Sequence, residues 1–336
     1  MGPTTARITA EDFLTPPELA QWSLAASSAG RIGGVRLELD ADSEGTTLGR
    51  CYQQIPLRVL TPFQFGPGQP SLLYLLNPTA GLLDGDGQLI EIRARSKTRA
   101  VVTCQSATRI HPAVHGFSTQ QWHVVVEAGA VLVVLPGPAI PFRGSRYYQR
   151  VRIELEPGAG LIWGDLWFAG RYARDTISER FQFETLFQDF TVCRDEQLVF
   201  RDRFVWRGPW DTDQALRYFG SHLACGSLFV TGRVENSAVS TRSDLETAVF
   251  QTGAEDTCFR WLGTSEEVTH VLVQTALHSA GKLCGAKSTG PWLLPFQDLG
   301  PNHWFVPAYC PRDTVPDLEP EMGMPSGSGR PATSSS

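Results

Sequence analysis

Short apolar runs separated by glycine or proline breaks make up most of this chain. In VRLELDAD (35–42) every second residue is apolar over the first positions, which is the period of a half-buried strand. QQIPLRVLTPFQF (53–65) reads as extended chain interrupted by prolines, and SLLYLLN (71–77) as a buried strand. PTAGLLDGDGQ (78–88) follows as a turn-rich loop. Three related segments come next: LIEIRARSKTRAVVTCQ (89–105), WHVVVEAGAVLVVLP (122–136) and RVRIELEPGAGLIWGDL (150–166). Each is a strand, a tight turn, a small residue and a second strand. Ala100, Ala130 and Ala159 mark the repeat at intervals of 30 and 29 residues. Gly129 and Gly158 supply the reversal in two units, because glycine accepts positive φ without a steric penalty. Two architectures fit this pattern: layers stacked in a solenoid-like arrangement, or ordinary hairpins in a sandwich.

Strands continue through RFQFETLFQDFTVCRDEQLVFRDRFVW (180–206), with a turn at Arg194-Asp195 and Phe181, Phe183, Leu186 and Phe190 facing one side. GSLFVTGRV (226–234) and DTCFRWLG (256–263) are further strands. Two helices are expected. One runs near 213–223 with Thr212 as its cap, and the other over 265–281. The second opens on a capping box, with Thr264 as N-cap and Glu267 three residues on, and places Val268, Val271, Leu272 and Thr275 on one face. The fold class is therefore mostly β, with two added α-helices. Residues 1–30 read as a loosely ordered arm, 31–310 as a single β-rich domain, and 311–336, dominated by proline, serine and glycine, as a disordered tail.

With 336 residues, 42% of them in the apolar set and 19% charged, the chain falls among globular proteins. The formal charge of -6 carries no basic stripe, so neither nucleic acid nor an anionic membrane is expected as a partner. The opening residues have no basic patch followed by an apolar run, and Ala6 departs from the myristoylation pattern. No uninterrupted apolar stretch is long enough for a spanning helix. The seven cysteines are widely spaced, with no C-x-x-C, which predicts free thiols and a reducing compartment, the cytoplasm.

Familiar catalytic motifs are missing. GPGQPSLL (66–73) lacks the Lys-Ser/Thr end of a phosphate loop, and neither H-E-x-x-H nor G-x-S-x-G occurs. Three constellations remain. Asp84-Gly85-Asp86 reads either as two carboxylates able to touch a cation or as a favoured turn pair. His111 and His115 flank a proline turn, with Cys104 before them and His123 after. These residue types suit nickel, zinc or copper, but the spacing is not that of a permanent site. Arg143, Arg146, Arg150, Asp165, Arg171, Arg174, Asp175 and Glu179 form a charged group between apolar strands, read as an ion network or a partner contact. Asp165, inside LIWGDLWF, stands out: a carboxylate buried among such neighbours requires partners.

Several of these segments together resemble the UreD (UreH) family of urease accessory proteins. They are Pro56-Leu57-Arg58-Val59-Leu60, LLNPTAGLLDGD (75–86), the run from Arg99 through TCQSATRIHP, GAVLVVLPGPAIPFRGSR (129–146) and GAGLIWGDLWFAGRYA (158–173). Their order and spacing, covering about residues 33–300, carry the resemblance more than any single motif. It implies a β-helix-like stack with two added helices, and a non-enzymatic scaffold that binds apo-urease and a UreF-like protein. A UreG-like GTPase would join through UreF, and nickel would pass as cargo toward the urease site, with no permanently bound cofactor or metal. Ala80 and Asp84 stand where the family favours glycine. Gly170, Arg171 and Ala173 match its G-R-x-A-x-G-E pattern, which then departs at Asp175 and Thr176. Under this reading Asp84, Asp86, His111, Asp165 and Asp175 are candidates for nickel passage. Arg143, Arg146, Arg171 and Glu179 are candidates for partner contacts or structural ion pairs. The alternatives are a β-solenoid carbohydrate-active enzyme using Asp84, Asp86 and Asp165, or a binding scaffold unrelated to urease.

Overall fold

The computed structural model describes residues 6–24, 30–65, 69–172, 179–234 and 245–284. Two face-to-face sheets form the frame. The seven-stranded sheet runs, edge to edge, β14 (Gln197–Arg207), β13 (Thr185–Arg194), β11 (Arg146–Leu155), β8 (Ser118–Val126), β5 (Gly87–Ala94), β1 (Ile32–Ala41) and β2 (Thr46–Gln54). The ten-stranded sheet runs β16 (Glu246–Gln251), β17 (Thr257–Gly263), β15 (Ala224–Val230), β12 (Gly160–Phe168), β9 (Val131–Leu135), β6 (Arg99–Cys104), β4 (Ser71–Leu76) and β3 (Arg58–Val59). Two short strands, β7 (Thr108–Ile110) and β10 (Pro138–Pro141), pair with each other beside β12.

The chain alternates between the sheets. It crosses from β4 to β5, back to β6, on to β8, back to β9, and so through β11, β12 and β13. Within each sheet these strands pair in parallel, so every round trip is one coil stacked on the last. This is the stacked alternative. The turns read as hairpin reversals are arcs that carry the chain from one sheet to the other. A backbone N–H to carbonyl bond closes each arc: Thr98 to Arg95, Ala130 to Glu127 and Ala159 to Glu156. Register corrects one member of the repeat. Arg99 pairs with Val131 and Val131 with Gly160, so Thr98, not Ala100, is the equivalent of Ala130 and Ala159. The left-handed position is then Lys97 in the first arc (φ 68), Gly129 in the second (φ 75) and Gly158 in the third (φ 82). A Cβ at Gly129 or Gly158 would meet nothing within 4 Å, so the glycines answer a dihedral requirement and not a shortage of space.

Apolar alternation explains the layers. Inward residues of both sheets, among them Ile90, Trp122, Val151, Val102, Val134 and Trp163, make the central core. Residues 6–24, expected as a loose arm, lie against the outer face of the seven-stranded sheet. Leu19 packs with Phe117, Tyr148 and Phe187, and Ile8 and Phe13 pack with Leu89. The outer face of the ten-stranded sheet is covered by helix α2 (Ser265–Leu283). Small residues let it approach: a Cβ at Gly226 would lie 2.6 Å from Val268 Cγ1, and one at Gly164 would lie 2.9 Å from Leu272 Cδ2. Helix α1 (Thr212–Phe219) closes an aromatic cluster of Trp167, Phe181, Phe183, Trp206, Trp210 and Phe219.

Both helices begin on side-chain caps. Asp211, one residue before the expected Thr212, accepts from Gln214 N at 2.8 Å, while Gln214 Oε1 accepts from Asp211 N at 3.1 Å. Gly220 at φ 58 ends α1 earlier than expected. Thr264 does cap α2, accepting from Glu267 N at 3.2 Å, but its hydroxyl also donates to the Glu267 carboxylate at 2.9 Å. Thr264→Ala is expected to cost about 1 kcal/mol, read as a lower urea midpoint with an unchanged slope.

Candidate functional site

Four glutamines occupy one register position on the inner face of the seven-stranded sheet. Gln88 pairs with Gln120, Gln120 with Gln149 and Gln149 with Gln188. All four are at most 5% exposed. Each begins the same short pattern, a glutamine and then apolar residues at alternate positions: QLIEI, QQWHV, QRVRI and QDFTV. The period-two rule therefore turns every one of them inward with its apolar followers, across four stacked coils.

Asp165 faces this ladder from β12. It is 4% exposed and spends both oxygens on neutral donors. Gln149 Nε2 donates to Oδ1 at 3.1 Å, while Gln188 Nε2 and Trp163 Nε1 donate to Oδ2 at 2.9 and 2.7 Å. Gln188 Nε2 also reaches Gln149 Oε1 at 3.1 Å, joining two coils through the carboxylate. Burial pushes the Asp165 carboxyl up, the three donors pull it back, and nearby Asp202 raises it slightly, leaving it at about 6. Near neutral pH it is therefore mostly an ionised carboxylate inside the protein. Ser227 and Arg260 share its register across β15 and β17. Arg260 of β17 pairs with Asp202 of the edge strand β14, linking the two sheets. A small cavity lies here, walled by Asp165, Asp202, Ser227, Arg260 and the rings of Phe190 and Phe229.

The other expected site residues have structural partners. Asp84 accepts from the backbone N–H groups of Val114, His115 and Gly116 at 2.8 to 3.0 Å. Asp86, 2% exposed, accepts from Arg31 N at 2.7 Å and Leu83 N at 2.8 Å; burial raises its carboxyl and those bonds oppose the rise. Both act as turn locks between neighbouring coils. His111 Nε2 lies 3.1 Å from Ala80 O, and its ring packs edge-on against Phe142. Glu179 is held by Arg171 and by Arg143 N, and Arg171 sits 4.1 Å over the Phe142 ring. The Arg171 bonds keep the Glu179 carboxyl below its usual range. Arg146 pairs with Glu184 at 2.7 Å and stacks on Trp22 at 4.5 Å. His111, Arg143, Arg171 and Glu179 thus gather at the long-loop end of the stack, while Asp165 stands between the sheets. Asp175, with Ala173 and Thr176, lies outside the described residues.

Asp84 and Asp86 are saturated by backbone donors, and Asp165 is enclosed between sheets, so the three do not form an exposed catalytic pair for sugar chemistry. Burial holds the Cys104 and Cys258 thiols near 12 and the Cys225 thiol near 11, so all three are neutral. Among the described residues, no group of three or more His, Cys, Asp or Glu side chains is arranged to hold a metal ion. No described helix is long and apolar enough to cross a membrane.

The family model described as "UreD urease accessory protein" matches residues 31–291, which include every coil of the stack. The chain belongs to the UreD family. Similar proteins bear the same name. Urease accessory protein UreD 2 of Streptomyces griseus is 34% identical over 174 residues, covering 51% of this chain and 58% of the relative. Urease accessory protein UreD 2 of Synechococcus sp. is 35% identical over 190 residues, 54% of this chain and 67% of the relative. UreD of Deinococcus radiodurans is 34% identical over 181 residues, 53% of this chain and 64% of the relative. The alignment with the Streptomyces protein thus spans less than two thirds of that relative. In this UreD-family chain, sequence reasoning found Asp165 but not the ladder it faces, nor Asp202 and Arg260. The recurring glutamine before each alternating run was the available signal.

Proposed function

We propose that this chain acts in urease maturation as a non-enzymatic scaffold. It binds apo-urease and a UreF-like protein, recruits a UreG-like GTPase through UreF, and passes nickel toward the urease active site. One observation carries the nickel step: the enclosed carboxylate of Asp165, ionised near neutral pH, set against the amides of Gln149 and Gln188 at its end of the row. A carboxylate attracts a divalent cation, and amide oxygens are neutral ligands that do not hold a borderline ion tightly. Such a path favours movement over capture. The acidic partner Asp202 sits in the same cavity, and its pairing with Arg260 places a breakable ion pair at the rim. The neutral, buried thiols accord with a reducing compartment, the cytoplasm.

Co-purification tests the scaffold role. Full-length chain should isolate a UreF-like protein from the same organism, and apo-urease should join that pair. Failure to retain either partner, under conditions where the remaining components assemble, would overturn the proposal.

A further inference from the structure

The far end of the glutamine ladder has the opposite chemical character from the Asp165 end. Trp122 Nε1 donates to Gln120 Oε1 at 2.9 Å, and an indole nitrogen can only donate. That fixes the Gln120 amide. Its Nε2 must then be the donor to Gln88 Oε1, at 3.0 Å. The orientation of Gln88 follows: its carbonyl is taken, and its Nε2–H is left as an enclosed donor with no protein partner, on a residue 1% exposed. A relay of three side chains thus imposes an N–H at this point.

Gln88 and Gln120 both line a small cavity between the loops after β4 and β6. Its polar wall adds Asn77, Ser106, Thr108 and Arg109, over a floor that includes Leu57 and Leu75. No carboxylate is among the described lining residues, and Cys104, also in the wall, carries a neutral thiol. An enclosed donor, hydroxyls and one guanidinium suit an acceptor of negative charge. A planar oxyanion matches in-plane donors of the amide and guanidinium kind.

We infer that this cavity is a binding site for a small planar oxyanion of the carboxylate or hydrogencarbonate type, held by the Gln88 amide and Arg109. The site is separate from Asp165 and does not depend on nickel passage.

The test titrates ¹³C-labelled acetate, and separately hydrogencarbonate, into the full-length chain at constant ionic strength, following ligand line broadening, with chloride as the control. Saturable binding to the wild type is expected. Gln88→Met keeps the side-chain length and removes the N–H, and should weaken binding by about tenfold or more. Arg109 is exposed, so Arg109→Gln tests the site even if the buried variant fails to fold. It should weaken binding several-fold and flatten its salt dependence. Absence of saturable binding to the wild type, equal competition by chloride, or affinity unchanged in Arg109→Gln and in folded Gln88→Met would each overturn the assignment.

Discussion

From about pH 4 to about pH 7 the wild type should lose on the order of 3 kcal/mol of stability relative to Asp165→Asn. Burial raises the Asp165 carboxyl to about 6 in the folded chain, above its value when unfolded. The folded state therefore holds its proton more tightly. The stabilisation is fully present below the unfolded value and is lost as pH rises through about 6. Other titrating groups are common to both proteins and cancel in the difference. Urea denaturation of both chains across this range provides the measurement. A constant difference would mean that Asp165 does not titrate there. The three donors explain why the ionised form is tolerated at higher pH, since each replaces a hydrogen bond otherwise made to water.

Arg194→Leu should be strongly destabilising, at about 3 kcal/mol or more. Arg194 ends β13 in one sheet, and Asp256 precedes β17 in the other. The guanidinium Nη2 reaches both oxygens of Asp256, at 2.8 and 3.0 Å, and Gly232 N donates to the same carboxylate at 2.9 Å. Asp256 is 1% exposed, so without Arg194 its charge stays enclosed with one donor. Breaking a buried pair costs more than replacing it. Arg194→Leu combined with Asp256→Asn should therefore cost less than Arg194→Leu alone, because asparagine still accepts from Gly232. Chemical denaturation of the two variants distinguishes this pairing from a surface ion pair, for which both would stay close to wild type.

Much of the frame is legible in the sequence because its determinants are local. Alternation in VRLELDAD and WHVVVEAGAVLVVLP marks strands, and Thr264 with Glu267 marks the start of α2. Asp165 is legible because a carboxylate inside LIWGDLWF must be either enclosed or misplaced. The glutamine ladder depends on register, which is not local. The arcs are alike, but the loops at the opposite end differ in length, carrying β7 in one coil and β10 in the next. Equivalent glutamines therefore recur at unequal intervals, and the same irregularity misaligned Ala100 with Ala130. Asp84 and Asp86 illustrate the converse. A paired-acid loop invites a chemical reading, yet backbone N–H groups from a neighbouring coil, or from the loop itself, take their oxygens. Nothing in the local sequence identifies those donors. Arg171 and Glu179, eight residues apart, do meet as an ion pair, and the stack brings Phe142 and His111 beside them.

The most direct test of nickel passage beside Asp165 is activation of apo-urease by nickel in a reconstituted mixture of purified accessory proteins. Wild type would be compared with Asp165→Asn, a substitution of nearly equal size that removes the charge. Both should first be verified as folded and as retaining the UreF-like partner and apo-urease. The account predicts that the variant assembles normally yet activates urease at least about tenfold more slowly, since the carboxylate hydrogen-bonded to Gln149 and Gln188 is gone. Activation at the wild-type rate by a folded, fully assembled Asp165→Asn chain would contradict it.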